Sequence, residues 1–163
     1  MTKTTWLASV SLAALLLAPA VSRAQEEPNQ LGVGAYIGVP FGFSAKYLVD
    51  RRNAVDLAVG AQGSNLDFHA DVLTHFRDLS KQPPKGKFAP YLGMGFKVED
   101  QGQTLFGIRF LGGAVYLIEK TPLEVFAEIA PVLRMAPSMG SNLDGGVGVR
   151  YYFGLGTAAP AKK

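Results

Sequence analysis

The chain contains no cysteine, a single tryptophan and two histidines among 163 residues, and charged side chains make up only 18% of it. The missing cysteine excludes a disulfide scaffold, a thiol nucleophile and Cys-ligated zinc together. Sixteen Lys and Arg against thirteen Asp and Glu leave a formal charge of +3, too even a balance for an electrostatic nucleic-acid binder. The length allows about one domain. No apolar run reaches the roughly 20 residues of a spanning helix. What the chain does have is 19 Gly, 10 Pro and 48% hydrophobic residues, an odd mixture for a soluble enzyme.

The N-terminal segment carries Lys3, then the apolar stretch from Trp6 to Ala8 and from Leu12 to Ala18, then Pro19 and the small-residue exit Ser22-Arg23-Ala24. A basic start, a short apolar core and an A-x-A-like exit predict a signal peptide over residues 1–24. Cleavage after Ala24 removes Lys3, Trp6 and Arg23, and leaves fourteen cations against thirteen anions.

Beyond Pro28 the hydrophobic period is two nearly everywhere, and no segment holds helical spacing. Eight runs stand out, at 31–39, 41–50, 54–63, 66–76, 88–99, 104–118, 123–134 and 143–153, each near the ~9–11 residues of a tilted membrane-crossing strand. Turn chemistry separates them, as at Asp50-Arg51-Arg52-Asn53, Gly63-Ser64-Asn65, Pro83-Pro84-Lys85-Gly86 and the segment 137–142. Eight hairpin-linked antiparallel strands close without an edge. The expected organisation is a lead at 25–30, a barrel over 31–153 and a flexible tail at 154–163.

Splitting each run by parity separates two faces. One is free of formal charge, for example Phe106, Ile108, Phe110, Gly112, Ala114, Tyr116 and Ile118 in the sixth run. The other carries Lys46, Asp56, Asp67, His69, Asp71, His75, Lys97, Arg109, Glu124, Glu128, Arg134, Asp144 and Arg150, interleaved with glycines such as Gly93, Gly95, Gly107, Gly146 and Gly148. A soluble, lipocalin-like barrel that binds an apolar ligand would turn the apolar face inward. The glycines argue for the opposite orientation, since an exposed strand face loses stability from each of them, whereas a narrow eight-stranded lumen has room for few long side chains. Five Lys/Arg against six Asp/Glu on that face suit a paired interior. The expectation is a structural network of lumen charges, with the apolar face toward lipid.

With both termini in the periplasm, the even-numbered runs end at the periplasmic interface. Their outward terminal residues are Tyr47, Phe76, Tyr116, Tyr151 and Phe153, the aromatic girdle expected of an outer-membrane barrel. Phe43, Phe68, Phe96 and Phe106 fall near the other rim.

The segment Gly148-Val149-Arg150-Tyr151-Tyr152-Phe153 resembles the C-terminal insertion signal of outer-membrane barrels, with Gly148, Tyr151 and Phe153 as its marks, although residues 154–163 follow it. The stretch from Gly32 to Lys46, then Ala54-Val55-Asp56, then Leu66 to His75, is similar to a family of short, functionally uncharacterised bacterial outer-membrane proteins with OmpA/OmpX-like barrels. That resemblance implies fold, location in the outer membrane, outer-membrane lipids as surroundings and the barrel-insertion machinery as a partner. It specifies no reaction.

Asp67, His69, Asp71 and His75 share one strand face, close enough to share a metal or a proton. A metal site needs ligands converging from several strands, so these residues are expected to join the lumen network, with no cofactor and no metal. Small barrels of this kind include lipid A deacylases and palmitoyltransferases, but no Ser accompanies either His in a matching arrangement. The enzymatic reading lacks its nucleophile, and lipid modification ranks below the structural and surface-binding readings. Steady conduction is not expected either, because eight strands leave an interior filled by its own side chains. The outer connections, 39–40, 60–65, 99–104 and 135–142, carry no basic or aromatic hot spot. The longest turn, from Arg77 to Lys87, is basic and periplasmic; it is in reach of lipid headgroups or peptidoglycan, but a solvated basic turn is the commoner reading.

Overall fold

The computed structural model describes residues 28–100 and 102–154; the expected signal peptide, residues 25–27 of the lead and all of the tail beyond Gly154 lie outside the described residues. Eight strands follow one another: β1 (Gln30–Gly38), β2 (Phe41–Leu48), β3 (Asn53–Gln62), β4 (Asn65–His75), β5 (Lys87–Asp100), β6 (Thr104–Leu117), β7 (Leu123–Ala136) and β8 (Gly140–Gly154). Each pairs antiparallel with its sequence neighbour, and β1 pairs with β8 from Gln30↔Gly154 to Gly38↔Gly146, closing the barrel. Closure is what satisfies the edge backbone groups that an open sheet would leave unpaired.

The barrel has a terminal end, where β1 begins and β8 ends, and a hairpin end, where strands are joined by turns of two or three residues. Three longer connections, at 49–52, 76–86 and 118–122, lie at the terminal end. The turn at 49–52 is built on Asp50, whose carboxylate accepts the N–H groups of Arg52 and Asn53 at 2.7 and 2.8 Å. In the connection at 76–86, a short 3-10 turn at Arg77–Leu79 is followed by Gln82. Its side-chain amide donates to the carbonyls of Arg77 and Phe88, while its oxygen accepts the N–H of Phe88. One side chain thus ties both limbs of that loop together.

Most strand bounds lie one or two residues from the sequence expectation, and β8 begins three residues earlier than expected. β7 runs to Ala136 and β8 begins at Gly140, so the turn between them is three residues rather than the broad segment 137–142. Near this turn the pairing with β6 shifts register: Gly107 faces Arg134 but Phe106 faces Ala136. Met135 is the extra residue, and a bulge of this kind keeps a strand paired.

Alternation settles the faces. Ile37, Phe41, Phe43, Leu66, Val72, Leu92, Met94, Ile129, Leu133, Leu143 and Val147 are exposed on the outer wall, whereas Lys46, Asp56, Asp67, His69, Lys97 and Arg109 are wholly buried inside. A water-soluble barrel would show the reverse. The interior is not polar throughout, however: Leu48, Leu73, Ala89, Leu111, Val115 and Leu117 also point inward and pack with Tyr91 and Phe126. They close the lumen toward the terminal end.

Candidate functional site in the barrel lumen

Three groups of inward side chains fill the barrel from one end to the other. Nearest the terminal end, Arg150 of β8 reaches across the lumen. Its Nη2 holds both oxygens of Asp56 at 2.8 Å, its Nη1 donates to Glu124 at 3.0 Å, and its Nε donates to the Ser44 hydroxyl at 2.8 Å. Glu124 also accepts Lys46 Nζ at 2.6 Å and the Tyr152 hydroxyl at 2.9 Å. His75 stands beside this group, with Nε2 3.5 Å from Lys46 Nζ and Nδ1 3.0 Å from the carbonyl of Arg52.

At mid-height Arg109 of β6 bridges Asp71 of β4, at 3.1 Å, and Glu128 of β7, at 2.8 Å. Glu128 takes two tyrosine hydroxyls as well, Tyr36 at 3.0 Å and Tyr91 at 2.8 Å. The hydroxyl partners matter physically because a carboxylate out of water is tolerable only when its lone pairs are occupied. Toward the hairpin end Lys97 of β5 lies 2.8 Å from Asp67, 2.8 Å from Asp144 and 3.5 Å from Glu99. The Gln62 side chain adds an acceptor at 3.0 Å.

The structure therefore brings together Lys46, Asp56, Asp67, Asp71, Lys97, Arg109, Glu124, Glu128, Asp144 and Arg150. Arg134 is corrected. It keeps the inward parity of Glu128 and Val132 but lies half-exposed at the hairpin rim, where its Nε donates to the carbonyl of Ser138 at 3.0 Å. Glu99, unplaced by the sequence reading, is wholly buried. The interior balance accordingly changes from five against six to four Lys/Arg against seven Asp/Glu. His69 is wholly buried with neither ring nitrogen hydrogen-bonded; its Nε2 lies 3.7 Å from Asp71, and its ring meets Tyr36 edge-on.

Sequence reasoning also passed over Tyr36, Tyr91, Phe126 and Tyr152, all at most 2% exposed. Parity was the signal that could have found them, since each shares a strand face with a charge or a glycine already placed inside. The inward glycines are the counterpart of these rings: a Cβ on Gly32 would lie 2.9 Å from the Tyr152 ring, one on Gly113 2.6 Å from Tyr91, and one on Gly146 2.8 Å from Tyr36. At these points the rings and the opposing backbone are closely packed.

On the outer wall, Tyr47, Phe76, Tyr116, Tyr151 and Phe153 line the terminal end, with the Tyr151 and Phe153 rings 4.8 Å apart. Tyr116 donates to the carbonyl of Lys85 and Tyr47 to the side chain of Asn29. Gly148 packs under Phe126 and Ala35. Chemically, the lumen holds ion pairs and phenol–carboxylate bonds with almost every head group engaged. Among the described residues no hydroxyl bonds either histidine, and no three His, Asp or Glu side chains are placed to hold a metal.

No family model and no curated protein matches the chain. Its structure is similar to the crystal structure of the N-terminal β-barrel domain of Pseudomonas aeruginosa OprF, with a TM-score of 0.58 at 15% sequence identity, over 77% of this chain and 98% of that one. The two share the closed eight-stranded barrel fold.

Proposed function

We propose that this chain is an integral outer-membrane protein of a diderm bacterium, brought across the inner membrane by a cleaved signal peptide and inserted as a barrel with a closed lumen. Its role is structural or that of a small surface-binding module, without catalysis or steady conduction. The observation that carries this reading is the inversion of the barrel: large apolar side chains cover the outside while four Lys/Arg and seven Asp/Glu are buried within. Only an apolar surrounding makes that arrangement favourable. The aromatic side chains around the terminal end and the fold shared with OprF support the same location. A carrier for an apolar ligand would need the wall face that here points outward.

Fractionation of cells followed by electrophoresis with and without boiling tests it. The expected result is a chain in the outer-membrane fraction whose mobility changes on heating. Recovery in the soluble periplasm without a heat-dependent shift would overturn the reading.

A further inference from the structure

The charges that are not buried are distributed very unequally between the two ends. At the terminal end the connections and the first residue of β5 carry Arg51, Arg52, Arg77, Lys81, Lys85, Lys87 and Lys120 against Asp50, Asp78 and Glu119. Asp50 is engaged by its own turn, and Asp78 is matched by Arg52 at 2.8 Å, so two of the three anions are already committed. At the hairpin end the turns Val39-Pro40, Gly63-Ser64, Gln101-Gly102-Gln103 and Pro137-Ser138-Met139 contain no charged residue, and the strand ends beside them add one anion, Asp100, and one cation, Arg134.

Position gives this asymmetry its meaning. The cations come from three separate connections spaced around the rim, immediately beyond the outward Tyr47, Phe76, Tyr116, Tyr151 and Phe153. A ring of cations bordering an aromatic and apolar wall lies at the depth where a bilayer presents its phosphates. The longest of the three connections is also held in shape. Gln82 fastens its two limbs, Tyr116 holds the carbonyl of Lys85 at 2.8 Å, and the Arg52–Asp78 pair ties it to the neighbouring turn. Lys81 and Lys85 are therefore displayed on an ordered loop, which lowers the entropy lost when an anion is engaged.

We infer that the terminal rim is a binding surface for anionic phospholipid headgroups, with Arg51, Lys81, Lys85 and Lys120 as its contacts. The inference rests on the outer-membrane reading above and adds to it which leaflet chemistry the protein selects. The rim would anchor the barrel to the leaflet on its terminal side, while the hairpin end, with one exposed anion and one cation beside its turns, offers no comparable excess of positive charge.

The test uses the mature protein refolded into vesicles of phosphatidylethanolamine with and without phosphatidylglycerol, beside the variant R51Q/K81Q/K85Q/K120Q. Insertion is read by the heat-dependent band, and the lipids retained after mild detergent extraction are identified by mass spectrometry. The expected result is insertion of both proteins, a roughly fivefold or greater enrichment of phosphatidylglycerol on the wild type, weakening of that enrichment by added salt, and its loss in the variant. A wild-type barrel that inserts but shows no enrichment overturns the inference, with or without a folded variant. So does enrichment that persists in the variant. Sedimentation with purified peptidoglycan that depends on the four cations, without any lipid preference, would assign the rim to the wall polymer instead. Failure of the wild type to insert in either composition overturns the outer-membrane reading and this inference with it.

Discussion

The guanidinium carbon of Arg150 lies 3.6 Å from the centre of the Phe126 ring, while the same guanidinium grips both oxygens of Asp56. One side chain from β8 thus connects an aromatic face on β7 with carboxylates on β3 and β7. Replacing it as Arg150→Met leaves Asp56 and Glu124 buried without their main partner, a loss of about 3–5 kcal/mol. Arg150→Lys keeps the charge but not the planar fork that serves several acceptors at once, so its stability falls between the two. Urea unfolding in micelles, followed by the fraction of heat-shifted band, measures both.

Adjacent glycines on β6 provide a matched comparison. Gly113 points inward against Tyr91, where a Cβ would lie 2.6 Å from the ring. Gly112 points outward, and a Cβ there would meet only Leu92 at 3.4 Å. Gly113→Ala is expected to cost about 1–3 kcal/mol through overpacking, and Gly112→Ala to stay within about 0.5 kcal/mol. The same unfolding measurement decides; equal effects would contradict the assignment of the two faces.

A charge on the outer wall probes its surroundings. Ile108→Arg or Val147→Arg, near mid-height on β6 and β8, is expected to lower stability by roughly 2–4 kcal/mol in a bilayer, and Thr104→Arg at the rim by no more than about 1 kcal/mol. Refolding the three variants in vesicles and comparing unfolding midpoints shows whether the cost depends on depth. A cost independent of depth would exclude a lipid-facing wall.

The turn at 49–52 makes a pH prediction. Three hydrogen bonds, led by the Asn53 side-chain amide and joined by the N–H groups of Arg52 and Asn53, hold the Asp50 carboxyl below the ordinary aspartate range. Because the folded value is depressed, the turn's contribution is complete above the unfolded aspartate value of about 3.9 and is lost as pH falls through the lower, folded value. An NMR titration of Asp50 should show that depression, and Asp50→Asn should remove this part of the acid response.

The fold was legible because the chain alternates strongly: charges such as Asp67, Asp71, Lys97 and Glu128 each fix the parity of a whole strand. Turn chemistry located most hairpins. The lumen was less legible. Tyr36, Tyr91 and Tyr152 are aromatic, and aromatics suit a lipid-facing wall as well as a packed interior, so their type gave no direction although their parity did. Arg134 has the inward parity that alternation gives it, but parity does not report height, and at the hairpin rim its head group turns to the carbonyl of Ser138. Glu99 escaped notice beside the turn that follows it, where acidic residues are usually solvated. These two residues widen the surplus of buried carboxylates from one to three.

The uncharged turns of the hairpin end bear on how the barrel can enter an apolar slab. Whichever end leads must pass through the hydrocarbon, and each ionised side chain dragged across costs about 2.5–3.5 kcal/mol even on permissive scales. Val39-Pro40, Gly63-Ser64 and Pro137-Ser138-Met139 carry nothing of the kind and their rim adds only Asp100 and Arg134, whereas the opposite rim carries ten ionisable groups. On the proposed outer-membrane reading, entry is directional. The hairpin tips lead, the cationic rim stays on the side of approach, and the finished barrel keeps that orientation because reversing it would require the whole charged rim to cross.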